Sequence, residues 1–289
     1  MNLPTLNFNR NDGKKLEFEF SEITNETIPK LQLHFHRHNF IEIVFVKKGK
    51  TNQIVDFNSY LVAENQILII PKNSVHQISE NESYQGIWLL FTETFLNLEQ
   101  SKFLNEFSIL NPILENKLLN LDSDNEIYNY LDLIKSEYNN SYTKNHELLL
   151  QHLFFSLLVK LEIMAQIQYP VSIINSEKEM YNSFLNLLEN SFQNKHSVSF
   201  YSNNLNVTSK KLNILLLKSS GKTTSDLIMD RIIIEAKRLL SYSEKSIKEI
   251  GYDLGFEDSH YFSRIFKKKT TLSPEHFKKS ISKKSTLKD

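Results

Sequence analysis

No cysteine occurs among the 289 residues of this sequence. The chain therefore forms no disulfide, has no thiolate nucleophile and offers no thiolate ligand to a metal ion. These absences exclude disulfide-stabilised folds, cysteine-dependent catalysis and cysteine metal sites, and they are compatible with a reducing compartment. Hydrophobic residues make up 40% of the chain, which is enough to build cores in about two domains.

The chain also lacks the features of a secreted or membrane-bound protein. Its N-terminus, MNLPTLNFNRNDGKK, does not have the charged-then-apolar order of a signal peptide. No apolar run reaches the ~18 residues expected of a transmembrane helix. We therefore predict a cytoplasmic protein that makes no membrane contact.

Charge is unevenly divided between the two ends of the chain, although 34 basic and 34 acidic residues balance overall. Residues 177–289 hold 20 Lys and Arg against 13 Asp and Glu, a net charge of +7, which leaves −7 for residues 1–176. A basic region beside an acidic one is typical of a protein in which one domain binds a polyanion. A solvated lysine-rich tail is the alternative explanation.

Short apolar segments dominate the first part of the chain. LQLHFH alternates apolar and polar side chains, as a strand with two different faces does. The runs FIEIVFVKK, IVDF, YLVA, QILIIP and YQGIWLLF follow, separated by turn signals at Gly49, Asn58-Ser59, Glu64-Asn65 and Asn81-Glu82. Strands of this length and spacing indicate an antiparallel barrel or sandwich.

A helical pattern replaces the strands from Thr92 to about Gln168, where apolar residues recur three and four positions apart. The segment YPVSIINS then contains a proline and no helical stripe, so we interpret it as a linker. The predicted domains are 1–168 and 177–289, with the linker at 169–176. The apolar helices at 124–168 predict a dimer contact, and a helix buried within one domain is the alternative.

Histidine and glutamate residues form a second pattern among the predicted strands. His36, His38, Glu42 and Gly49 resemble the first motif of the cupin family. The run from Pro71 to His76 resembles the second motif, with Asn73 where the family often has glycine. Because His36, His38 and Glu42 share the parity of one strand, an unbroken strand turns them to the same face.

This pattern has two chemical interpretations. Three histidines and a carboxylate suit Fe, Mn or Ni, and metal cupin enzymes use such a set. Alternatively, the side chains form hydrogen bonds and pack inside a sensor barrel without metal. We favour the second interpretation because Lys30 replaces the leading glycine of the motif. The sequence thus predicts an effector pocket, with no metal or other cofactor, at His36, His38, Glu42 and His76.

The C-terminal third contains a repeated helical pattern. SVSFYSNNLNVTSKKLNILLLKSSGKT predicts a short helix, a turn at Asn206-Val207, and a second helix capped by Thr208 or Ser209 and ended by Gly221. One longer helix with an apolar stripe follows, and the two-helix pattern then returns with a last helix opened by Asp258. These are two helix-turn-helix units joined by a helical connector.

Residues 177–281 resemble the DNA-binding domain of the AraC/XylS family of bacterial transcription regulators. The matching positions keep the family's order and spacing: Glu235-Ala236, Arg238-Leu239-Leu240, Ile247, Ile250, Leu254-Gly255-Phe256, Asp258, Tyr261-Phe262-Ser263-Arg264, Phe266-Lys267-Lys268 and Ser273-Pro274. A cupin-like barrel followed by helices is also a common sensor arrangement in this family. The resemblance implies an α+β protein with an N-terminal cupin-like antiparallel β-barrel, following helices, and a C-terminal all-α domain of two helix-turn-helix units joined by a long helix.

The resemblance also indicates which residues contact DNA. Four residues are expected to anchor the last helix of the second unit: Tyr261, Phe262, Ile265 and Phe266. The rest of that helix offers base contacts from Ser259, His260, Ser263 and Arg264, and phosphate contacts from Lys267 and Lys268. The candidates in the first unit are Lys210, Lys211, Asn213, Ile214 and Lys218.

Four positions of the C-terminal region depart from the family's pattern, and one of them is Leu217, where many relatives have lysine. Ile214 occupies a position where many relatives have a polar residue, which favours contact with thymine methyl groups or recognition of DNA shape. Thr271 occupies a frequent glycine position, and its branched side chain argues against a left-handed turn. Gly251 replaces a common alanine and is expected to weaken its helix by roughly 1 kcal/mol.

We therefore predict a sequence-specific DNA-binding transcription regulator, and not an enzyme. The expected partners are double-stranded promoter DNA and a small-molecule effector; the resemblance adds RNA polymerase, and the apolar helices at 124–168 add a second copy of the chain. A metal-dependent cupin enzyme with an accessory nucleic-acid-binding domain is the alternative. A third interpretation is a regulator without an effector, controlled by a protein partner or by its own abundance.

Overall fold

The computed structural model describes residues 5–6, 17–24, 26–28, 35–79, 84–104, 107–110, 118–121, 126–140, 143–169 and 175–286. The chain divides into two compact units, with the boundary between Pro170 and Val171. The unit before this boundary contains all the described strands and three α-helices, and the unit after it is built from helices.

The strands of the first unit form two antiparallel layers that share one long strand. Those described are β1 (Thr5–Leu6), β2 (Phe18–Thr24), β3 (His36–His38), β4 (Ile41–Val55), β5 (Asn58–Ala63), β6 (Gln66–Ile70), β7 (Val75–Ile78), β8 (Tyr84–Phe91) and β9 (Leu118–Asn120). The first half of β4 pairs with β6 and β8, and its second half pairs with β5 and β7. β2 adds to β8, β9 to β6 and β3 to β7, while the short β1 pairs parallel with β3. The antiparallel architecture predicted from the strand spacing is confirmed.

Both faces of β4 are buried over its first six residues, which explains the apolar run there. Ile43 and Phe45 face a core that the following helices complete. Val44 and Val46 face a second core between the strands. Glu42 has the parity of Val44 and Val46, and it therefore lies on this inner face of the barrel.

Two of the breaks predicted between strands differ from the structure: one is absent and the other is displaced. Gly49 does not end a strand, because β4 passes through it with a register shift just before it and a φ of 81° at the glycine. A bulge of this kind bends a strand without ending its ladder. The turn predicted at Asn58-Ser59 is formed by Asp56 and Phe57, with φ of 47° and 74°.

Helices cover one face of the strands. They are α1 (Leu98–Leu104), α2 (Glu126–Tyr138) and α3 (Lys144–Gln168), with 3-10 turns at Glu93–Phe95 and Ser108–Leu110. α3 is long and apolar enough to cross a membrane, but seven of its residues are buried in the protein. Residues such as Phe154 and Leu158 pack in the same core as Ile43 and Phe45, so α3 is a core helix of this unit.

The second unit contains α4 (Asn175–Ser191), α5 (Val198–Asn204), α6 (Ser209–Ser220), α7 (Thr224–Tyr242), α8 (Ile247–Asp253), α9 (Ser259–Thr270) and α10 (Pro274–Thr286). The predicted linker at 169–176 is only partly described, since residues 170–174 lie outside the described part of the chain. Tyr169 caps the C-terminus of α3, and Asn175 already begins α4. The long connector between the two helix-turn-helix units is α7.

α7 carries buried charged residues that the apolar stripe did not predict. Arg231 donates to both carboxylate oxygens of Glu189 on α4, at 2.6 and 2.8 Å. Glu235 accepts from Arg231 at 3.3 Å and from Arg238 at 2.9 Å. The guanidinium of Arg231 also lies 3.8 Å from the centre of the Phe192 ring. These contacts tie α7 to α4, so the connector is held inside the folded unit.

α6 and α9 end in the same way. Gly221 ends α6 with a φ of 70°, as predicted. Thr271 ends α9 with a φ of 68°, so the prediction that its branched side chain prevents a left-handed turn is wrong. The backbone N–H of Thr271 donates to the carbonyl of Lys267 at 2.8 Å, which satisfies a helix-end carbonyl that would otherwise lack a partner. Tertiary and capping contacts thus override the local preference of threonine.

Candidate DNA-binding surface and barrel site

The first helix-turn-helix unit consists of α5 and α6. Ser197 and Thr208 cap these helices, each with its side-chain oxygen accepting from a backbone N–H three residues later. Asn206 between the helices has a φ of 54°, a conformation that asparagine tolerates better than most residues. The buried face of α6 is formed by Leu212, Leu215 and Leu216.

The predicted DNA-contact residues of α6 fall into two groups. Lys210, Lys211 and Ile214 are exposed, and 57% of Ile214 is accessible to solvent. Asn213 is half-buried, and its Oδ1 accepts from the backbone N–H of Thr224 at 3.0 Å, which links α6 to the start of α7. Lys218 lies 2.7 Å from a carboxylate oxygen of Glu177 on α4. These two side chains therefore already have partners within the unit.

The second helix-turn-helix unit consists of α8 and α9, whose ends are fixed by local contacts. Ser246 and Glu249 form a capping box on α8, and Asp258 caps α9 by accepting from the backbone N–H of His260 at 2.8 Å. Gly255 in the connecting turn has a φ of 78°, and a Cβ there would lie 2.3 Å from the carbonyl oxygen of Gln193. The turn therefore requires glycine for both its backbone conformation and its close packing.

α9 buries two of its four predicted anchors fully. Phe262 and Phe266 are inaccessible, and Ile265 is half-buried. Tyr261 is 51% exposed, so the prediction that it anchors the helix is wrong. Tyr261 is one position before Phe262, about 100° away around the helix, and its ring centroid lies 6.1 Å from that of Phe256.

The exposed face of α9 is cationic. His260, Arg264, Lys267 and Lys268 are exposed, while Ser259 and Ser263 are half-buried. Within the described part of the chain, no carboxylate pairs with Arg264, whose guanidinium lies 5.7 Å from the centre of the Tyr261 ring. The hydroxyl of Ser263 donates to the carbonyl of Ser259 at 2.9 Å, which leaves its oxygen as an acceptor.

Lys269 follows these residues directly but has a different role. Its Nζ lies 2.9 Å from a carboxylate oxygen of both Asp226 and Asp230 on α7. Hydrogen bonds from Thr223 and then from Lys269 hold the pKa of Asp226 below its ordinary value. Lys269 thus fastens α9 to the connector, and sequence analysis could not separate it from Lys267 and Lys268.

The strands bring together the four residues of the predicted effector pocket. β3 carries His36 and His38, β4 carries Glu42, and β7 carries His76 opposite His36 in the ladder. All four side chains are fully buried. The chain bends at Asn39 and Phe40, so cross-strand pairing, and not the predicted unbroken strand, assembles the set. Residues 31–34 of the predicted strand LQLHFH lie outside the described residues.

The geometry of this cluster would suit a cation. Oε2 of Glu42 lies 3.4 Å from Nε2 of His38 and 3.8 Å from Nε2 of His76. His38 Nδ1 lies 2.7 Å from the carbonyl oxygen of Phe40, and the two rings stack with centroids 4.0 Å apart. Burial, followed by the neighbouring His38 and His36, lowers the pKa of His76 well below its ordinary value. A neutral imidazole offers a lone pair to a ligand.

Profiles of known protein families match both structural units of the chain. The family profile described as AraC-like ligand binding domain matches residues 30–158, and the profile described as Helix-turn-helix domain matches residues 201–280. The HTH-type transcriptional activator RhaS of Mannheimia succiniciproducens is 25% identical over 84% of this chain and 88% of its own length. The uncharacterized HTH-type transcriptional regulator YfiF of Bacillus subtilis is also 25% identical, over 84% of this chain and 78% of its own.

A solved structure of ToxT from Vibrio cholerae is 18% identical to this chain with a TM-score of 0.43, and it covers 91% of this chain and 98% of its own. The two family profiles follow each other in the order of the two structural units. Both profiles agree with the motifs in the sequence, and so do the two relatives, whose similarity extends over most of the chain. The chain belongs to the AraC family of transcription regulators, with an N-terminal ligand-binding domain and a C-terminal helix-turn-helix DNA-binding domain.

Proposed function

We propose that α6 and α9 enter successive major grooves of promoter DNA, and that Arg264 distinguishes between DNA sequences. The observation that carries this proposal is the exposed guanidinium of Arg264, which has no carboxylate partner in the described part of the chain, whereas Lys218 and Lys269 are paired. A guanidinium can donate to O6 and N7 of one guanine together. Such a pair supplies ~1–3 kcal/mol of discrimination against the wrong base.

The remaining exposed residues receive roles from their chemistry. Flexible lysine ammonium groups suit phosphates, so we assign phosphate contacts to Lys210, Lys211, Lys267 and Lys268. The exposed side chain of Ile214 suits a thymine methyl group. Ser259, His260 and Ser263 are assigned to base edges. Asn213 and Lys218 contribute less than the sequence suggested, because both already have protein partners.

The connector sets the distance between the two DNA-contacting helices. α7 has 19 residues and is therefore ~28 Å long. Its buried ion pairs with Glu189 and Glu235 support a rigid element. We infer that it holds α6 and α9 about one turn of DNA apart, ~34 Å, on the same side of the duplex.

We further propose that residues 1–168 sense an effector and that 177–289 bind DNA, with the linker at 169–176. His36, His38, Glu42 and His76 line the effector pocket, since they are polar side chains gathered in the barrel interior. The regulator is not an enzyme and works in the cytoplasm. As an activator, the role in which the relative RhaS is named, it contacts RNA polymerase.

A homodimer is part of the proposal. α3 leaves Leu149, Ile163 and Ile167 between 48% and 74% exposed, although its opposite side is buried in the core. Ile163 and Ile167 follow Leu149 by 14 and 18 positions, close to whole numbers of turns, and the three residues therefore lie on one side of the helix. A second copy of the same face is the occupant that symmetry favours.

Selection of DNA from a randomised library by the full-length protein tests the proposed function. The native chain is expected to enrich one sequence class, and Arg264→Ala should lose preference at one or two positions while still binding. Lys279→Ala, an exposed lysine paired with Glu275 on α10, is the matched control and should keep the native preference. Unchanged base preferences in folded Arg264→Ala would contradict the assignment, and no enrichment by the native chain would contradict sequence-specific binding.

A further inference from the structure

Polar atoms inside the barrel lack hydrogen-bond partners among the described residues. In the part of the chain that the structure describes, no donor reaches either carboxylate oxygen of the fully buried Glu42. Nε2 of His38 and both ring nitrogens of His76 make no hydrogen bond to the described residues either. A carboxylate removed from water is strongly destabilised unless a cation or hydrogen bonds compensate its charge. The site therefore calls for a bound cation or a shared proton.

The tautomer of His38 favours a cation. Its Nδ1 lies 2.7 Å from the carbonyl oxygen of Phe40, and only a protonated Nδ1 can donate to that oxygen. In the neutral ring Nε2 then carries a lone pair, which lies 3.4 Å from Oε2 of Glu42. Two lone-pair atoms facing each other are suited to share a positive ion. A backbone carbonyl that accepts from the other ring nitrogen is the usual second contact of a metal-binding histidine.

The spacing of the three side chains agrees with ligands around one ion. One ligand atom from each of His38, Glu42 and His76 can be chosen so that all three lie within 4.8 Å of one another. Ligands at ~2.1 Å from a shared ion are ~3.0–3.4 Å apart in octahedral or tetrahedral geometry. The observed 3.4 and 3.8 Å from Glu42 Oε2 to the two imidazole nitrogens approach this range, so small side-chain rotations would close the site.

We propose that His38, Glu42 and His76 bind a single divalent transition-metal ion inside the barrel. Two imidazoles and one carboxylate suit Fe²⁺, Mn²⁺, Co²⁺, Ni²⁺ or Zn²⁺. The proposal differs from the prediction made from the sequence, which was a pocket without a metal ion at these residues. The ring of His36 lies 4.1 Å from that of His76 and packs against the ligand set.

Neighbouring polar groups indicate where a further ligand would lie. The hydroxyl of Thr51 and the carboxamide of Gln53 are buried and make no hydrogen bond in the described part of the chain. Thr51 and Gln53 lie four and two residues before Val55 on β4, so their side chains are on the same face of the strand as that of Val55. Val55 faces the inner core and pairs with His76. A three-ligand ion keeps open coordination positions, so a water or a small polar molecule bound to the ion can also contact these groups.

Metal binding by the full-length protein tests the proposal directly. The protein is stripped with a chelator and then titrated with Co²⁺, Ni²⁺, Zn²⁺, Mn²⁺ and, without oxygen, Fe²⁺. We expect one ion per chain by elemental analysis, visible absorption bands for the Co²⁺ form, and a higher melting temperature. Glu42→Gln, which keeps the side-chain shape, should weaken binding by at least the ~10–100-fold typical of losing a supporting contact.

A matched pair of histidine variants separates this site from surface binding. His76→Gln removes a proposed ligand, while His276→Gln changes an exposed histidine on α10 and should bind the ion as the native chain does. Should a pocket variant fail to fold, the native chain alone decides: absence of stoichiometric binding of all five ions overturns the proposal. Equal binding by native chain and folded Glu42→Gln also overturns it. No DNA enters these measurements, so their failure leaves the proposed DNA recognition intact.

Discussion

Arg231 on α7 and Glu189 on α4 form a two-bond ion pair, with donor–acceptor distances of 2.6 and 2.8 Å. The Arg231 side chain is 3% exposed, so water does little to compensate its charge, and the Glu189 carboxylate is the group that does. The pair joins the first helix of the C-terminal unit to the connector between the two helix-turn-helix units. The stability of the DNA-binding domain and the rigidity of its connector therefore depend on the same contact.

Arg231→Ala is expected to lower the free energy of unfolding of the C-terminal unit by about 3 kcal/mol, because it leaves Glu189 without its guanidinium and removes one of the two arginines that contact Glu235. Denaturant unfolding followed by circular dichroism measures this loss. Lys279→Ala breaks an exposed pair on α10 and should leave the midpoint unchanged. Equal effects of the two substitutions would contradict a special role for the buried pair.

Two glycines of the second helix-turn-helix unit should respond to alanine in opposite directions. A Cβ on Gly251 would meet Phe262 at 3.4 Å, an ordinary contact, so Gly251→Ala should stabilise α8 by about 1 kcal/mol. Gly255→Ala should destabilise by at least ~1–2 kcal/mol, because it forces a left-handed alanine against the Gln193 carbonyl. Melting temperatures measure both effects, and a stabilising Gly255→Ala would show that the turn is arranged differently.

Lys267 should contribute affinity for DNA without sequence preference. Lys267→Ala is expected to weaken specific and random DNA alike and to reduce the slope of log affinity against log salt by about one. Binding isotherms at several salt concentrations give the slope, and Lys279→Ala serves as the control that should keep it. An unchanged slope for Lys267→Ala would exclude a phosphate contact at this position.

The proposed dimer face on α3 predicts a change of mass in solution. The native chain should be dimeric in light scattering, and Ile167→Glu should shift it towards the monomer, because the charge would be buried between two copies. Ile167 is 74% exposed within one chain, so the substitution should not disturb the fold. Leu98→Glu alters a leucine that is 83% exposed on α1 and should keep the dimer. A native chain that remains monomeric at high concentration would contradict the prediction.

Local sequence signals predicted the helix-turn-helix units well. Thr208 and Asp258 cap their helices and Gly221 ends α6 as expected, because each contact involves residues within four positions along the chain. The predicted anchors Phe262 and Phe266 are also core residues in the structure. Such features depend on backbone geometry over one or two helical turns, which the sequence specifies directly.

Tertiary packing decided which side chains of these helices are available. The sequence places Tyr261 among the expected anchors of α9. In the structure Phe262 points into the core, whereas Tyr261, the residue before it, is exposed. Lys267 and Lys269 are indistinguishable in sequence, and only the position of Asp226 and Asp230 on α7 makes Lys269 a structural residue. Ion pairs between distant helices follow from three-dimensional placement, for which single-chain patterns contain no signal.

The barrel site also combines features determined by the sequence with features decided by the tertiary structure. The sequence alone determined the residue types, since the motifs single out His36, His38, Glu42 and His76, and the absence of cysteine excludes thiolate ligands. Only the tertiary structure decided that the Glu42 carboxylate meets Nε2 of His38 and of His76, and that among the described residues no hydrogen bond compensates its charge. The physical reason is strand register: the pairing of β7 with β3 and β4 places His76 beside residues almost forty positions earlier, and a shift of one residue would turn its side chain to the opposite face.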